Sequence, residues 1–208
     1  MKQIENRCDW RSYPPSTNII DKSSPSTDVF FIVRGMVRVV NFSESGKEIS
    51  LNDIESGSMF GELSAIDGKA RSANVVAVYA TRVASMSPEI FWQVVHEHPN
   101  FNKQLLERLT SIIRVSVSRI MDLSTLSAHG RVYGELLRLA KKRAQSDGSG
   151  RISPIPIHSE MASRISTTRE TVARILGELN RKNIVVKERN VLVVNDIKVL
   201  EALHRAQM

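Results

Sequence analysis

The 208-residue chain carries 29 Lys/Arg against 22 Asp/Glu, a formal net charge of +7, and a single cysteine, Cys8. A chain of this length holds one large domain or two small ones, and one cysteine excludes an internal disulfide, a four-cysteine cluster and a cysteine-rich zinc site. No run of about 18 apolar residues occurs, which excludes a membrane-spanning helix. The N-terminal sequence MKQIENR lacks the apolar stretch of a signal peptide, so a reducing, cytoplasmic setting is expected. The whole net charge lies in residues 131–208, where 15 Lys/Arg face 8 Asp/Glu; residues 1–130 hold 14 of each. A basic C-terminal part on a neutral N-terminal part points to a polyanionic partner for the former, with a merely well-solvated surface as the plainer reading.

Period-2 patterning dominates up to about residue 87. Residues 29–33 run into Gly35 and then into residues 36–40, a tight pair of short strands. Residues 43–46, Ser-Glu-Ser-Gly, read as a hairpin turn before a strand at 48–54, and Glu55-Ser56-Gly57 as another turn. Strands at 75–78 and 82–86 continue the series. Many short strands with regular Gly/Ser/Asn punctuation predict a small antiparallel barrel.

After Pro88 the pattern becomes helical. Residues 101–126 contain neither Pro nor Gly, and Leu106, Leu109, Ile113, Ser116, Ile120 and Leu123 follow a 3-4-3-4-3 spacing, a heptad seam. At 1.5 Å per residue this helix spans roughly 39 Å, more than a small barrel covers, so pairing with an identical helix in a parallel homodimer is expected. His129-Gly130 reads as the break of that helix and Gly130 as a domain boundary and hinge. Residues 131–144 form an amphipathic helix with Val132, Leu136, Leu139 and Ala140 on one side. Residues 159–165 and 168–181 are two more helices separated only by Ser166-Thr167, the spacing of a helix-turn-helix. Residues 184–186 and 191–194, joined through Lys187-Glu188-Arg189-Asn190, read as a β-hairpin wing. The expected architecture is α+β: a barrel over 1–88, helices including the long one over 89–129, and a winged helix-turn-helix over 130–208.

Two motifs carry the chemistry. The first is Phe60-Gly61-Glu62-Leu63-Ser64, followed after five residues by Ala70-Arg71-Ser72-Ala73. Gly61, lacking a Cβ, lets the backbone approach a ligand; Arg71 offers a planar fork of donors suited to phosphate; Ser72 adds a hydroxyl beside backbone N–H groups able to form an anion nest. Glu62 repels phosphate but suits a sugar hydroxyl. Taken alone, the motif also reads as a β-turn with a surface arginine. The second is Thr168-Arg169-Glu170-Thr171-Val172-Ala173-Arg174. Arginine pairs with guanine O6/N7 and glutamate accepts from cytosine N4, and Arg169, Glu170 and Arg174 fall within about 140° of helix arc. Thr168, Thr171 and Lys187 suit phosphates. The plainer reading is a surface ion-pair set.

Together these motifs resemble the cyclic-AMP receptor protein (catabolite activator, Crp/Fnr-type) family over almost the full chain. The resemblance implies a cyclic-nucleotide-binding jelly-roll barrel, a long dimerising helix and a C-terminal winged helix-turn-helix. It implies that Gly61 and Glu62 hold the ribose, that Arg71, Ser72 and the backbone at Ala73 hold the cyclic phosphate, and that Val39, Leu51 and Leu63 line the pocket. Two small polar residues of the long helix meet the base in that family; here they align with Ser116 and Val117. Val117 departs from the pattern because it cannot hydrogen-bond to an exocyclic amine, which puts base discrimination in doubt. Ser166 departs too, since the family's turn usually has Gly. Cyclic AMP, and second cyclic GMP, is the implied ligand. Double-stranded DNA, a second copy of the chain and RNA polymerase are the implied partners.

Other constellations are weak. His96-Glu97-His98 places its imidazoles at i, i+2, which diverge on a helix, so no metal site is expected. One cysteine cannot hold the iron–sulfur cluster of some relatives, while a histidine-ligated haem stays open. No nucleophile–base–orienter set occurs, so the chain is not expected to be an enzyme. Two other function classes remain: a constitutive or other-ligand-sensing regulator of the same fold, and a nucleotide-binding regulatory subunit without DNA work. The basic C-terminal third and Arg169, Glu170 and Arg174 speak against the second.

Overall fold

A computed structural model describes residues 6–44, 46 and 48–207. Residues 1–5 and Ser45 of the expected hairpin turn lie outside them, although Gly46 N donates to Ser43 O at 2.9 Å across that turn. The chain divides into two compact units, Met1–Leu109 and Thr110–Met208.

Among the described residues the first unit contains eight strands: β1 (Asp9–Tyr13), β2 (Asn18–Ile20), β3 (Val29–Arg34), β4 (Met36–Phe42), β5 (Glu48–Glu55), β6 (Met59–Phe60), β7 (Asn74–Ala77) and β8 (Thr81–Met86). They form two four-stranded antiparallel sheets, ordered β1-β8-β3-β6 and β2-β7-β4-β5. The expected pairing of the strands flanking Gly35 does not occur, because β3 and β4 belong to different sheets. Gly35 is the corner between them: its φ is +99°, and a Cβ there would lie 2.5 Å from Thr81 Oγ1. Only glycine passes that close to a neighbouring strand. Ile20, Phe30, Ile32, Val37, Phe60 and Val83 fill the space between the sheets, as alternating inward positions dictate.

A short helix, α1 (Glu62–Asp67), follows β6 inside the first motif, where the sequence pattern predicted none. Helix α2 (Pro88–Glu97) begins with Ser87 as its cap and Pro88 in its first turn, a favourable start because proline lacks only an N–H that has no helical partner there. Trp92 Nε1 donates to Ala65 O at 3.1 Å and ties α1 to α2. The long helix α3 (Pro99–Thr125) starts in this unit, where Leu105 joins Phe91, Val94 and Val95 in a second apolar cluster.

The second unit holds the rest of α3, then α4 (Ala128–Lys141), β9 (Gly150–Ile152), α5 (His158–Arg164), α6 (Arg169–Arg181), β10 (Val185–Glu188), β11 (Val191–Val194) and α7 (Ile197–Arg205). The helix break falls at Leu126-Ser127, not at His129-Gly130. Ser127 caps α4, accepting from Gly130 N at 3.3 Å, and Gly130 is buried inside the first turn. A Cβ on Gly130 would meet Gln207 Cβ at 2.9 Å and Leu126 Cβ at 3.1 Å, so this glycine serves close packing rather than a bend. The wing is a three-stranded sheet ordered β10-β11-β9; β9, with three residues, is too short to show a period, and the nine-residue α7 was not predicted. Val132, Leu136, Val172, Ile175, Leu179 and Leu200 form the core beneath the helix-turn-helix.

Candidate functional site

In the first unit, Gly61 and Arg71 meet. Gly61 adopts the left-handed conformation, φ 84° and ψ 1°, just before α1. A Cβ there would stand 2.9 Å from both Arg71 Nη1 and the Asp28 carbonyl oxygen. Arg71, expected to be available to a ligand, is only 3% exposed. Its Nη1 donates to Gly61 O at 2.9 Å, and its Nη2 to Asp28 O at 2.8 Å and Ser26 Oγ at 3.1 Å. The guanidinium also lies over the Phe30 ring, 5.9 Å from its centroid. All three acceptors are neutral oxygens, and the buried Nε–H has no partner. Burial pulls the guanidinium below its ordinary pKa, with the Asp28 and Glu62 carboxylates opposing that pull; an arginine nonetheless keeps its charge.

Glu62 opens α1 and is buried, Leu63 is exposed, Ser72 is exposed and Ala73 is buried. Asn41 Nδ2 donates to Ser72 O at 3.2 Å and fixes that turn against β4. Val39 lies half-buried on β4 against the inter-sheet core, and Leu51 is exposed on β5. Ser116 and Val117 are exposed on the second unit's part of α3. Among the described residues, no group of three or more His, Cys, Asp or Glu could hold a metal ion. His96 Nδ1 instead sits 2.7 Å from Trp92 O.

In the second unit, the turn between α5 and α6 is pinned by a residue the sequence reading passed over. Arg131 donates to Leu126 O and Ile165 O, both at 2.8 Å, and to Ser166 O at 3.2 Å. Ser166 has φ +53°, the conformation glycine adopts without penalty, so the turn keeps its shape and Ser166 carries the strain. Thr168 caps α6, accepting from Thr171 N at 3.2 Å, and the two hydroxyls lie 3.0 Å apart. Two hydroxyls sharing one hydrogen bond leave one O–H free to donate outward. Arg169, Glu170 and Arg174 are exposed on α6, while Val172, Ile175 and Leu179 anchor its opposite face. Arg174 pairs with Glu178, not Glu170, at 2.8 Å. Lys187 is exposed on β10.

The same unit buries a charge cluster that no motif announced. Glu135 on α4 is 1% exposed. Its carboxylate lies 3.0 Å from Arg138, 3.6 Å from Arg164 on α5 and 3.7 Å from Arg119 on α3; Arg138 also binds Asp122 of α3 at 2.6 Å. Burial pushes the Glu135 carboxyl up, but Arg119, Arg138 and Arg164 outweigh it and hold the group below its ordinary pKa.

Comparison with known proteins agrees with both halves. Residues 10–98 match the family described as cyclic nucleotide-binding domain, and residues 130–203 that described as Crp-like helix-turn-helix domain. The cAMP-activated global transcriptional regulator CRP of Salmonella typhimurium is 30% identical over 191 residues, covering 91% of this chain and 90% of its own. The CRP-like cAMP-activated global transcriptional regulator of Mycobacterium tuberculosis is 25% identical over 185 residues, covering 88% and 83%. A solved structure of a CooA mutant from Carboxydothermus hydrogenoformans gives a TM-score of 0.85 at 20% identity, covering 97% of this chain and 90% of that one; it shares the fold.

A cyclic-nucleotide-binding domain followed by a winged helix-turn-helix defines a class of transcription regulators. Within that class, the chain belongs to the cyclic-AMP receptor protein family, of Crp/Fnr type.

Proposed function

We propose that this protein is a cyclic-nucleotide-responsive, sequence-specific transcription regulator that works in the cytoplasm as a homodimer on palindromic TGTGA-like sites. The observation that carries the ligand reading is the state of Arg71. A buried guanidinium hydrogen-bonded only to neutral oxygens, with its Nε–H unpartnered and the Asp28 and Glu62 carboxylates acting on it only through Coulomb attraction, favours a directly bonded anionic acceptor, because a buried charge is costly until it is paired. The Gly61 backbone, which no side chain could share with Arg71, and the nearby Glu62 and Ser72 suit the ribose and phosphate of a 3′,5′-cyclic mononucleotide. Val117 carries no group to tell adenine from guanine, so cyclic AMP comes first and cyclic GMP second.

The DNA reading assigns base edges to Arg169, Glu170 and Arg174 and phosphates to Thr168, Thr171 and Lys187. The homodimer is supported by the seam of α3. Ile113 and Ile120 are 63% and 61% exposed in the single chain, an apolar stripe that a second copy would cover. RNA polymerase is a further partner by resemblance.

Calorimetry with cyclic AMP, cyclic GMP and cyclic dinucleotides, followed by operator titration with and without the bound ligand, tests the whole reading. Cyclic AMP binding and tighter operator binding in its presence are expected. Operator affinity identical with and without saturating nucleotide would leave a constitutive DNA binder.

A further inference from the structure

Arg174 does not extend freely into solvent. Its Nη1 donates to Glu178 Oε1 at 2.8 Å, one turn along α6, and lies 3.4 Å from His129 Nε2 on α4. The same His129 nitrogen is 3.4 Å from Glu178 Oε2. The imidazole is itself set edge-on against Tyr133, with centroids 6.2 Å apart and ring planes at 69°. Glu178 holds the guanidinium from its own helix, and His129 Nε2, which can accept from Arg174 or donate to Glu178 but not both, adds either a second contact to Arg174 or a tether on Glu178 from α4. Glu178 responds to these neighbours: partial burial pushes its carboxyl up, but the hydrogen bonds and charges of Arg174 and His129 hold it below its ordinary pKa.

From this geometry we infer that Glu178 and His129 are specificity-determining positioning residues, which fix the direction in which Arg174 presents its fork to a base edge. The inference rests on the proposed role of Arg174 in base reading. An arginine has several freely rotating bonds, and holding them before contact reduces what is lost on binding. Bidentate pairing with a guanine edge demands a fixed fork plane, whereas attraction to phosphate does not. Glu178 therefore acts in two opposite ways. It sharpens the choice of base through Arg174, and its negative charge opposes the phosphate backbone, weakening binding to any sequence. An ordinary surface ion pair would do neither in a base-dependent way.

The test uses the full chain with saturating cyclic AMP. A site is selected from a random duplex library, and affinities are then measured for that site, for each single-base-pair substitution of it and for random DNA. Arg174→Ala should remove preference at one base pair of each half-site. Glu178→Ala should lower preference at that same pair about tenfold while binding random DNA more tightly. His129→Ala should act at the same pair, and Glu178→Gln, which keeps an acceptor oxygen, should retain part of the preference. In the Arg174→Ala background, Glu178→Ala should change nothing further at that pair, and no variant should shift the thermal midpoint by more than a few degrees. Wild-type preference in Glu178→Ala, an equal loss at every base pair, or an undiminished effect without Arg174 would overturn the positioning role. Full preference in Arg174→Ala would instead overturn the base-reading role beneath it.

Discussion

In the barrel unit a buried cation, Arg71, faces three neutral oxygens; in the helical unit a buried anion, Glu135, faces three guanidinium groups. The two sites differ in how complete they are. The hydrogen bonds of Arg71 go to uncharged carbonyl and hydroxyl oxygens, its Nε–H has no partner, and the Asp28 and Glu62 carboxylates act on it only through Coulomb attraction. Glu135 is charge-compensated from α3, α4 and α5 at once and needs nothing from outside. Burial alone therefore does not separate a binding residue from a structural one; the charge state of its partners does. A buried ion hydrogen-bonded only to neutral groups is a candidate for a ligand, and one paired directly with counter-ions is a joint.

Removing each ion should damage a different property. Glu135→Ala removes the buried anion that three arginines share, with Asp122 left on Arg138, and should cost the helical unit about 3–5 kcal/mol, read as a lower midpoint in urea. A loss under about 1 kcal/mol would place the cluster with ordinary surface pairs. Arg71→Ala should weaken cyclic-AMP binding about a hundredfold, about 2–3 kcal/mol, yet change the unliganded midpoint less than Glu135→Ala does. Unchanged nucleotide affinity would put Arg71 on the structural side of the contrast.

Acid should act on the second site. The folded pKa of Glu135 lies below its ordinary value of 4.5, so its contribution is fully present above that value and is lost as pH falls through the lower, folded pKa. The unfolding midpoint of the wild type should therefore drop in that acid range more than that of Glu135→Gln. Equal pH profiles would mean the arginines do not favour the ionised form. The smallest effect concerns the strained turn. Ser166→Gly should relieve the positive φ and stabilise the helical unit by about 0.5–1 kcal/mol, after glycine's own entropy cost is set against it. A loss of stability would mean that the serine side chain contributes more than the strain costs.

Much of the architecture was legible because periodicity is a strong signal. Strand alternation from residue 29 to 86, the heptad seam of α3 and the two-residue gap before α6 each placed an element within a few residues, whereas β1 and β2 were not placed. Short pieces were not legible: β6 has two residues and β9 three, too few to show a period. Gly130 misled because a glycine after a long helix reads as a break, whereas here its missing Cβ admits Gln207. Glu135 did leave a trace. It stands three residues after Val132 and four before Leu139, on the apolar stripe of α4, where a solvated carboxylate does not belong. The first motif disclosed its donor chemistry, but not that the Arg71 fork lies buried against Gly61 and Asp28. That depends on the β2–β3 segment, some forty residues distant in sequence.

The three-stranded wing has a topological consequence. β9 leaves the chain before the helix-turn-helix and β11 after it, yet the two strands are hydrogen-bonded neighbours, with Leu192 opposite Ile152 and Val194 opposite Gly150. Helices α5 and α6 are therefore a loop closed at its base by a sheet. Gly150 locks the seam further, since a Cβ there would come within 2.6 Å of Ala140 Cβ. Helix α6 then has no loose chain end from which to unravel. Parting of the sheet at the base would free both ends of the α5–α6 segment at once, so fluctuations of that sheet and of the two helices are coupled through the chain.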